Sequence, residues 1–275
     1  MDNLSIKALI GQRVLAVLGA YNHNTPSQMD VYICGISPIS DNQLHVFLPK
    51  GHQLELGQAV TLHLDNRTGI AEYDAELHVN RVSYKAKVTK IDDFHVVIDA
   101  LEYQVFYGLS PIKEYRASGY AFPLDERPLM PLAETPLLEM PSIDMEEHDN
   151  KIGVLLTYAP QQPHTTVMAF LSSSEDDIFF ITFPSTFKGQ LLSKDNRCYF
   201  AIDNRATYTF EQAVEWNYSI IQGQVYEVPK TSALFKQIQV HFVEKNPWEM
   251  AFFTHPEIQM YHLKPEHVVC PTHGL

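Results

Sequence analysis

The stretch IFFITFPSTFKGQLLSKDNRCYFAID, residues 178–203, carries the clearest structural pattern in this chain. An apolar run ends at a proline, two apolar residues four positions apart follow, and a second apolar run closes the stretch. This order predicts a strand, a turn, a helix and a second strand. Thr182, Thr186 and Lys188 fall at the predicted turn between the first strand and the helix.

Such a turn is suited to hold a phosphate. The start of a helix offers backbone N–H groups without intrahelical acceptors and the positive end of the helix dipole. The hydroxyls of Thr182 and Thr186 and the ammonium of Lys188 would complete an anion site. The alternative is an ordinary helix start, capped by Ser185 or Thr186 with Lys188 in solvent, since Ser and Thr are common caps. The residues of the turn leave both readings open.

Bulk composition limits the classes of protein that this chain can represent. A length of 275 residues predicts about two domains. The net charge of −13 argues against nucleic acid and anionic membranes as partners. Three dispersed cysteines, Cys34, Cys198 and Cys270, predict free thiols, and no apolar run reaches the length of a membrane span. We therefore expect a cytoplasmic protein without a membrane anchor.

Patterning along the chain predicts a mainly β protein with few helices. Residues 1–108 contain short apolar or alternating segments separated by turn residues, which predicts a small β-barrel that serves as an accessory domain. Residues 109–149 hold six of the 17 prolines and end in an acidic run, which predicts a linker or an extended strap. Residues 150–275 are again rich in predicted strands and form the second domain.

The second domain resembles the pyridoxamine 5′-phosphate oxidase-like, FMN-binding split-barrel family over residues 152–270. The family pattern is a strand ending in Thr, then S/T-x-K and a helix, and this chain has ITFPSTFKGQLL. The segments GVLLTYA and TTVMAFLS resemble the family's first two strands. NYSIIQGQVYEVP and MYHLKPEHV resemble its later strands.

The resemblance implies a split β-barrel that binds FMN at a homodimer interface and acts on a small-molecule ligand. It implies that Thr186 and Lys188 bind the phosphate. Arg197 and Arg205 are either additional ligands of this phosphate or surface charges at strand ends. It further implies that Thr182 and Phe183 line the path of the phosphate and ribityl chain. Backbone groups of Val167 and Met168 would lie near the flavin ring.

The departures from the family bear on activity. The oxidase tends to have an Arg in its second strand, where this chain has Thr166, Val167 and Met168, and no Arg follows Arg205. Arg is the preferred bidentate phosphate ligand, so its absence argues against oxidation of pyridoxamine phosphate. An FMN-dependent oxidoreductase of unknown substrate is the first hypothesis. A flavin-binding sensor without turnover and a barrel without cofactor are the alternatives.

Two further patterns bear on function. LHVFLPKGHQLELGQAVTLHL in the first half resembles the N-terminal barrel that precedes the PilZ domain of flagellar-brake proteins, but the R-x-x-x-R signature for cyclic-di-GMP is absent. We therefore expect an accessory barrel, or an unrelated β domain. Near the C-terminus, His255, His262, His267 and His273 suggest a metal or haem site, or a polar tail. Their spacing fits no metal motif, so we expect no metal.

Overall fold

The computed structural model describes residues 4–66, 79–108, 110–145, 150–203 and 218–269. Strands account for 49% of the described residues and helices for 14%, which confirms the predicted mainly β class. The chain divides into two compact units. The first is built mainly from residues up to 125 together with 159–165, and the second contains 126–158, residues from 166 onwards to 203, and 218–269.

The first unit is a closed barrel preceded by the short helix α1 (Ile6–Ile10). Its strands run in the order β3-β2-β1-β4-β5-β6, and β3 pairs back onto β6 to close the ring. Residues 102–107 of β6 also pair with β7, which extends the sheet. The strands are β1 (Val14–Tyr21), β2 (Met29–Ser40), β3 (Gln43–Phe47), β4 (Ala59–Asp65), β5 (Asn80–Ile91), β6 (His95–Tyr107) and β7 (Ser110–Arg116).

Side-chain alternation explains why these segments close into a barrel. Along β6, buried and half-buried positions alternate over most of the strand, so that one face lines the interior. The interior side chains come from every strand of the ring and form one apolar core, including Leu18, Ile36, Leu44, Leu62, Tyr84 and Ile98.

The second unit contains one seven-stranded sheet in the order β10-β11-β14-β13-β12-β8-β9. Strands β9 and β10 are the two edge strands of this sheet, and only Phe170 separates them in the chain. The sheet therefore curls into a half-barrel. The strands are β8 (Ile152–Thr157), β9 (His164–Ala169), β10 (Leu171–Ser172), β11 (Ile178–Thr182), β12 (Arg197–Asp203), β13 (Tyr218–Val228) and β14 (Gln259–Val269).

In the described part of this unit, three α-helices and one 3₁₀ helix connect the strands. Helix α2 (Phe187–Lys194) lies between β11 and β12. Helix α3 (Ala233–Lys245), the 3₁₀ helix Pro247–Glu249 and helix α4 (Met250–Phe253) lie between β13 and β14. None of the helices in the described part of the chain combines the length and apolar character needed to cross a bilayer.

Helix α3 covers one side of the sheet with a continuous apolar face. Its hydroxyl cap is Ser232, which accepts a hydrogen bond from the N–H of Phe235 at 3.0 Å. The face that it buries against the sheet consists of Leu234, Phe235, Ile238 and Phe242.

Residues 126–145 run along the second unit as an extended strap. The Met130 N–H donates to the carbonyl of Ser193 at 2.7 Å. The Thr135 N–H donates to the carbonyl of Glu227 at 2.8 Å, and the Glu227 N–H returns a bond to Ala133 at 2.9 Å. These bonds give an otherwise irregular, Pro-rich segment a defined path. Its apolar side chains pack on the core of the second unit through Leu132, Leu137, Met140 and Ile143.

Candidate functional site

The turn between β11 and α2 is built around the hydroxyl of Thr186. Thr186 is the N-cap of α2 and accepts a hydrogen bond from the N–H of Gly189 at 3.2 Å. The same hydroxyl donates to the carbonyl of Phe183 at 2.7 Å. Because a hydroxyl has only one proton, Thr182 must be the donor in the 3.2 Å contact between the two threonine hydroxyls. Both threonine protons are therefore used within the turn.

These hydrogen bonds determine which groups of the turn are available to bind an anion. The predicted cap at Thr186 is confirmed. A phosphate at this turn would face the first helical turn, where the N–H of Lys188 has no intrahelical acceptor. The Thr182 hydroxyl becomes a ligand only when its proton leaves Thr186 and turns to the phosphate.

Close packing fixes the backbone of the turn. A Cβ added at Gly189 would lie 2.6 Å from the carbonyl oxygen of Phe183 and 3.0 Å from the backbone of Pro184. No real side chain fits at that distance, so helix α2 approaches the preceding turn more closely than any residue other than glycine allows. The approach places the first turn of the helix against the end of β11.

Lys188 is half-buried and has an acidic neighbour. Burial lowers the pKa of the Lys188 ammonium, and the charge of Glu249 opposes that shift. Burial also raises the pKa of Glu249 to about 7, while the charge of Lys188 acts in the opposite direction. The side chain of Lys188 is therefore partly removed from water, while Thr186 caps the helix as the alternative reading also predicts. Sequence reasoning did not identify Glu249, because nothing in its local pattern marks it.

Phe183 links the turn to the segment after α4. Its ring packs edge-on against His255, with ring centroids 4.8 Å apart, and against Phe252 at 6.3 Å. Phe183 is half-buried and joins the apolar cluster beneath α3. The ring is thus held by aromatic neighbours, and these contacts bring residues 247–255 beside the predicted phosphate turn.

The predicted flavin contacts on β9 face opposite sides of the sheet. The side chain of Met168 is buried in the core of the half-barrel, in the same cluster as Leu155 and Phe180. Val167, its neighbour, is half-buried on the other side. Only Val167 of these two side chains is directed away from the core, while both backbones lie on the strand.

Arg197 lies away from the phosphate turn, beyond the other end of α2. From the N-cap Thr186 to the C-cap Asp195 the helix advances about 13 Å, taking 1.5 Å per residue. Arg197 forms an ion pair with Asp195, Nη2 to Oδ2 at 2.7 Å, and its guanidinium lies 4.6 Å from the ring of Tyr158. The structure thus brings Thr182, Thr186 and Lys188 together, whereas Arg197 belongs to a separate cluster.

A buried hydrogen-bonded chain crosses the core near the strap. The imidazole of His262 is completely buried; its Nε2 lies 2.8 Å from Asp177 Oδ1 and its Nδ1 lies 2.7 Å from the hydroxyl of Thr135. The Ser173 hydroxyl donates to the other oxygen of Asp177 at 2.9 Å. This network assigns the proton to Nε2, so that Thr135 donates to Nδ1. Both ring nitrogens are occupied, which removes His262 from the candidate metal or haem ligands.

The remaining histidines do not form a cluster. His255 and His267 are exposed, His267 on β14, and His273 lies outside the described residues. Across the parts of the chain that the structure describes, no three His, Cys, Asp or Glu side chains gather as metal ligands. Arg205 and Cys270 also fall outside the described residues.

Comparison with known proteins gives low similarity. No protein-family model matches the chain, and no curated protein matches it. Among solved structures, the heme storage protein HutZ of Vibrio cholerae has a TM-score of 0.40 at 16% identity over 46% of this chain and 91% of that one. A FAD-binding protein of Mesorhizobium loti has a TM-score of 0.36 at 16% identity, over 43% and 82% of the two chains.

A third similar structure is a putative pyridoxamine 5′-phosphate oxidase of Listeria innocua. Its TM-score is 0.31 at 14% identity, over 44% of this chain and 87% of that one. The regions similar to these three structures make up less than half of the chain, and the similarity is too low to assign the chain to a family.

Proposed function

We propose that the second unit binds FMN, with the phosphate at the turn between β11 and α2. The observation that carries the proposal is the half-buried ammonium of Lys188 in the first turn of α2, next to the Thr186 cap. A cation that is partly removed from water gains most from an anionic partner. A phosphate monoester supplies about −1.5 to −2 charges at neutral pH, which suits the positive end of the helix dipole.

Each residue has a defined part in this proposal. Lys188 binds the phosphate by charge, and Thr186 keeps the first turn of the helix in place through its bonds to Gly189 and Phe183. Thr182 redirects its proton from Thr186 to a phosphate oxygen. The backbone of β9, and the face of this strand that carries Val167, contact the flavin ring. The flavin supplies the redox chemistry when bound, and these residues bind and orient it.

Two functional classes follow from a bound flavin. The first is an oxidoreductase of unknown substrate. The second is a sensor or regulatory protein that binds the flavin without turnover. The second is favoured by the burial of the His262–Asp177 pair, because a pair enclosed in the core is not placed to exchange protons with a substrate.

We further propose that two copies of the chain assemble as a homodimer and that the first barrel is an accessory domain. The homodimer would allow the second copy to complete the flavin site. The molar mass in solution, measured by light scattering with and without FMN, tests this. A mass equal to 31.4 kDa under both conditions would contradict the dimer.

The test of FMN binding is the visible spectrum of the purified protein, before and after incubation with FMN and removal of the excess. We expect the wild type to retain FMN and Lys188→Met to lose most of it. Lys194→Met is the matched control, because Lys194 is at the other end of α2. Failure to retain FMN would favour a barrel without cofactor. A haem-like absorption band would favour haem over flavin.

Turnover separates the two classes. An oxidoreductase should bleach its flavin when NADH or NADPH is added under anaerobic conditions, and a pure binder should not. Full retention of FMN with no bleaching by either donor would support the sensor class.

A further inference from the structure

The strands of the two units follow the same order around their sheets. In the first unit the order of neighbours is β1-β2-β3-β6-β5-β4, and β4 pairs back with β1. In the second unit, with β9 and β10 taken as one strand bent at Phe170, the order is β8-β9/β10-β11-β14-β13-β12, and β12 pairs back with β8. The strands therefore correspond one to one in chain order, and each face of the first unit has an equivalent in the second.

Helix α3 covers one such face in the second unit, on the paired strands β11 and β14. The side chains of this face alternate with those that enter the core, such as Phe180 and Tyr261. All of them are buried, and they are Phe179, Ile181, Met260 and His262. The apolar residues of α3 form one cluster with Phe179, Ile181 and Met260, so the helix removes this face from water.

The equivalent face of the first unit lies on β3 and β6 and is partly exposed. His45 pairs with Val97 and Phe47 pairs with His95. The residues that alternate with these four enter the barrel core, and they are Leu44, Val46, Val96 and Ile98. Only residues 92–94 connect β5 to β6, whereas residues 229–258, which include α3, connect β13 to β14. The shorter connection has less than one helical turn and cannot form a covering helix, and Phe47 is 37% exposed.

The uncovered residues form a fixed, largely uncharged surface. The ring of His95 stacks on His45, with centroids 4.8 Å apart, and on Phe47 at 5.0 Å. Burial and the neighbouring His95 lower the pKa of His45, so this imidazole is neutral at pH 7. On the adjacent strand β2, Ile39 is 56% exposed. We call this set the bare face, and it consists of Ile39, His45, Phe47, His95 and Val97.

The border of the bare face on β5 is positively charged. Lys90 pairs with Val97 and Lys87 pairs with Asp99, and both lysines are exposed. Neither lysine forms an ion pair with another residue that the structure describes. The Asp99 carboxylate accepts a hydrogen bond from the amide of Gln43 at 2.8 Å, which holds it on the sheet. The border therefore favours a partner that carries carboxylates.

We propose that the bare face docks an amphipathic α-helix of a partner protein. The apolar stripe of that helix covers Phe47 and Val97, and carboxylates beside the stripe meet Lys87 and Lys90. The same chain shows the arrangement on the equivalent face, where the stripe of α3 covers β11 and β14. This inference is independent of the proposed flavin site.

The experiment titrates the full chain against a fluorescein-labelled synthetic peptide and measures fluorescence anisotropy. The peptide repeats α3 with its buried residues unchanged and with Glu at its exposed positions. We expect saturable binding by the wild type, weakened about tenfold or more by Phe47→Asp and weakened less by Lys90→Glu. The affinity of the wild type should also fall as salt is added.

Two controls separate the bare face from general stickiness. Leu138→Asp changes an apolar residue of the strap that is 98% exposed, and it should bind the peptide as the wild type does. A peptide of the same composition in shuffled order has no apolar stripe and should not bind.

Three results would overturn the proposal. The first is the absence of saturable binding by the wild type. The second is equal affinity of the wild type and Phe47→Asp, which would also be the result if the peptide replaced α3 on the second unit. The third, by light scattering without peptide, is a mass that rises with concentration for the wild type and not for Phe47→Asp, because the bare face would then pair two copies of the chain.

Thermal unfolding checks that each variant is folded. If Phe47→Asp does not fold, the exposed substitution Lys90→Glu decides, and an unchanged affinity in that variant would overturn the proposal.

Discussion

The hydroxyls of Thr182 and Thr186 lie 3.2 Å apart, and Thr182 is the donor because the proton of Thr186 goes to the carbonyl of Phe183. The residues predicted to bind a phosphate thus also hold the strand-to-helix turn together. A ligand at this turn uses an existing helix cap and changes one hydrogen bond, which keeps the cost of forming the site small.

Replacing Thr186 tests the cap. Thr186→Ala removes the acceptor for the Gly189 N–H and the donor to Phe183, and should lower the free energy of unfolding by about 1 kcal/mol. Thr186→Ser retains the hydroxyl and should lower the free energy of unfolding by much less. Urea denaturation measures the free energy of unfolding of both variants. Equal stability of the Ala and Ser variants would show that the cap contributes nothing.

Replacing Gly189 by alanine should destabilise the protein, although alanine normally stabilises a helix relative to glycine. Alanine is normally favoured over glycine in a helix by about 1 kcal/mol. At Gly189 the added Cβ would lie 2.6 Å from the Phe183 carbonyl, so Gly189→Ala should destabilise the protein and weaken FMN retention. Gln237→Ala, at an exposed position of α3, is the control and should be close to neutral. A stabilised Gly189→Ala variant would contradict the close approach.

The buried chain through His262 should contribute strongly to stability. His262→Leu leaves the Asp177 carboxylate and the Thr135 hydroxyl without their partner, at a cost of about 2–4 kcal/mol. Thr135→Val removes one of the two bonds and should cost about 1 kcal/mol. His267→Ala, exposed on the same strand, serves as the control. Thermal unfolding of the three variants shows whether His262→Leu is less stable than Thr135→Val, and Thr135→Val less stable than His267→Ala. A His262→Leu variant as stable as the wild type would refute the prediction.

Glu249 should make stability depend on pH. Its pKa in the folded protein is about 7, above the ordinary 4.5, so the folded state binds the proton more tightly than the unfolded state. Its contribution is fully present below about 4.5 and is lost as the pH rises to about 7. Because the group is partly exposed and screened by solvent, we expect a loss of about 1–2 kcal/mol across this window.

The comparison of Glu249→Gln with the wild type isolates this contribution. The variant cannot ionise at this position, so its free energy of unfolding should fall less between pH 5 and pH 8, as measured by urea denaturation. Glu257→Gln, at an exposed position nearby, should follow the wild-type profile. Parallel profiles for the wild type and Glu249→Gln would contradict the raised pKa.

The strand-turn-helix-strand stretch could be predicted from the sequence because its signals are local. The apolar runs became β11 and β12, and the Thr186 cap began α2. Prediction was less complete where the pattern is weak. Strand β7 falls in the segment 109–149, which was predicted to be a linker or an extended strap.

The rest of the site could not be predicted, because it depends on contacts between distant segments. Glu249 is near Lys188 only after α3 and the 3₁₀ helix have folded back, and His262 meets Asp177 across paired strands. The position of Arg197 depends on the length of α2, which carries it to the far end of the helix. Composition and spacing contain no direct signal for such charge pairs.

The central claim is that Lys188 at the start of α2 binds the phosphate of a flavin. The most direct test is the equilibrium dissociation constant for FMN, against that for riboflavin, in the wild type, Lys188→Met and Lys194→Met. The account predicts that the wild type and Lys194→Met prefer FMN over riboflavin by at least about tenfold, and that Lys188→Met loses this preference. An unchanged preference in Lys188→Met would contradict it.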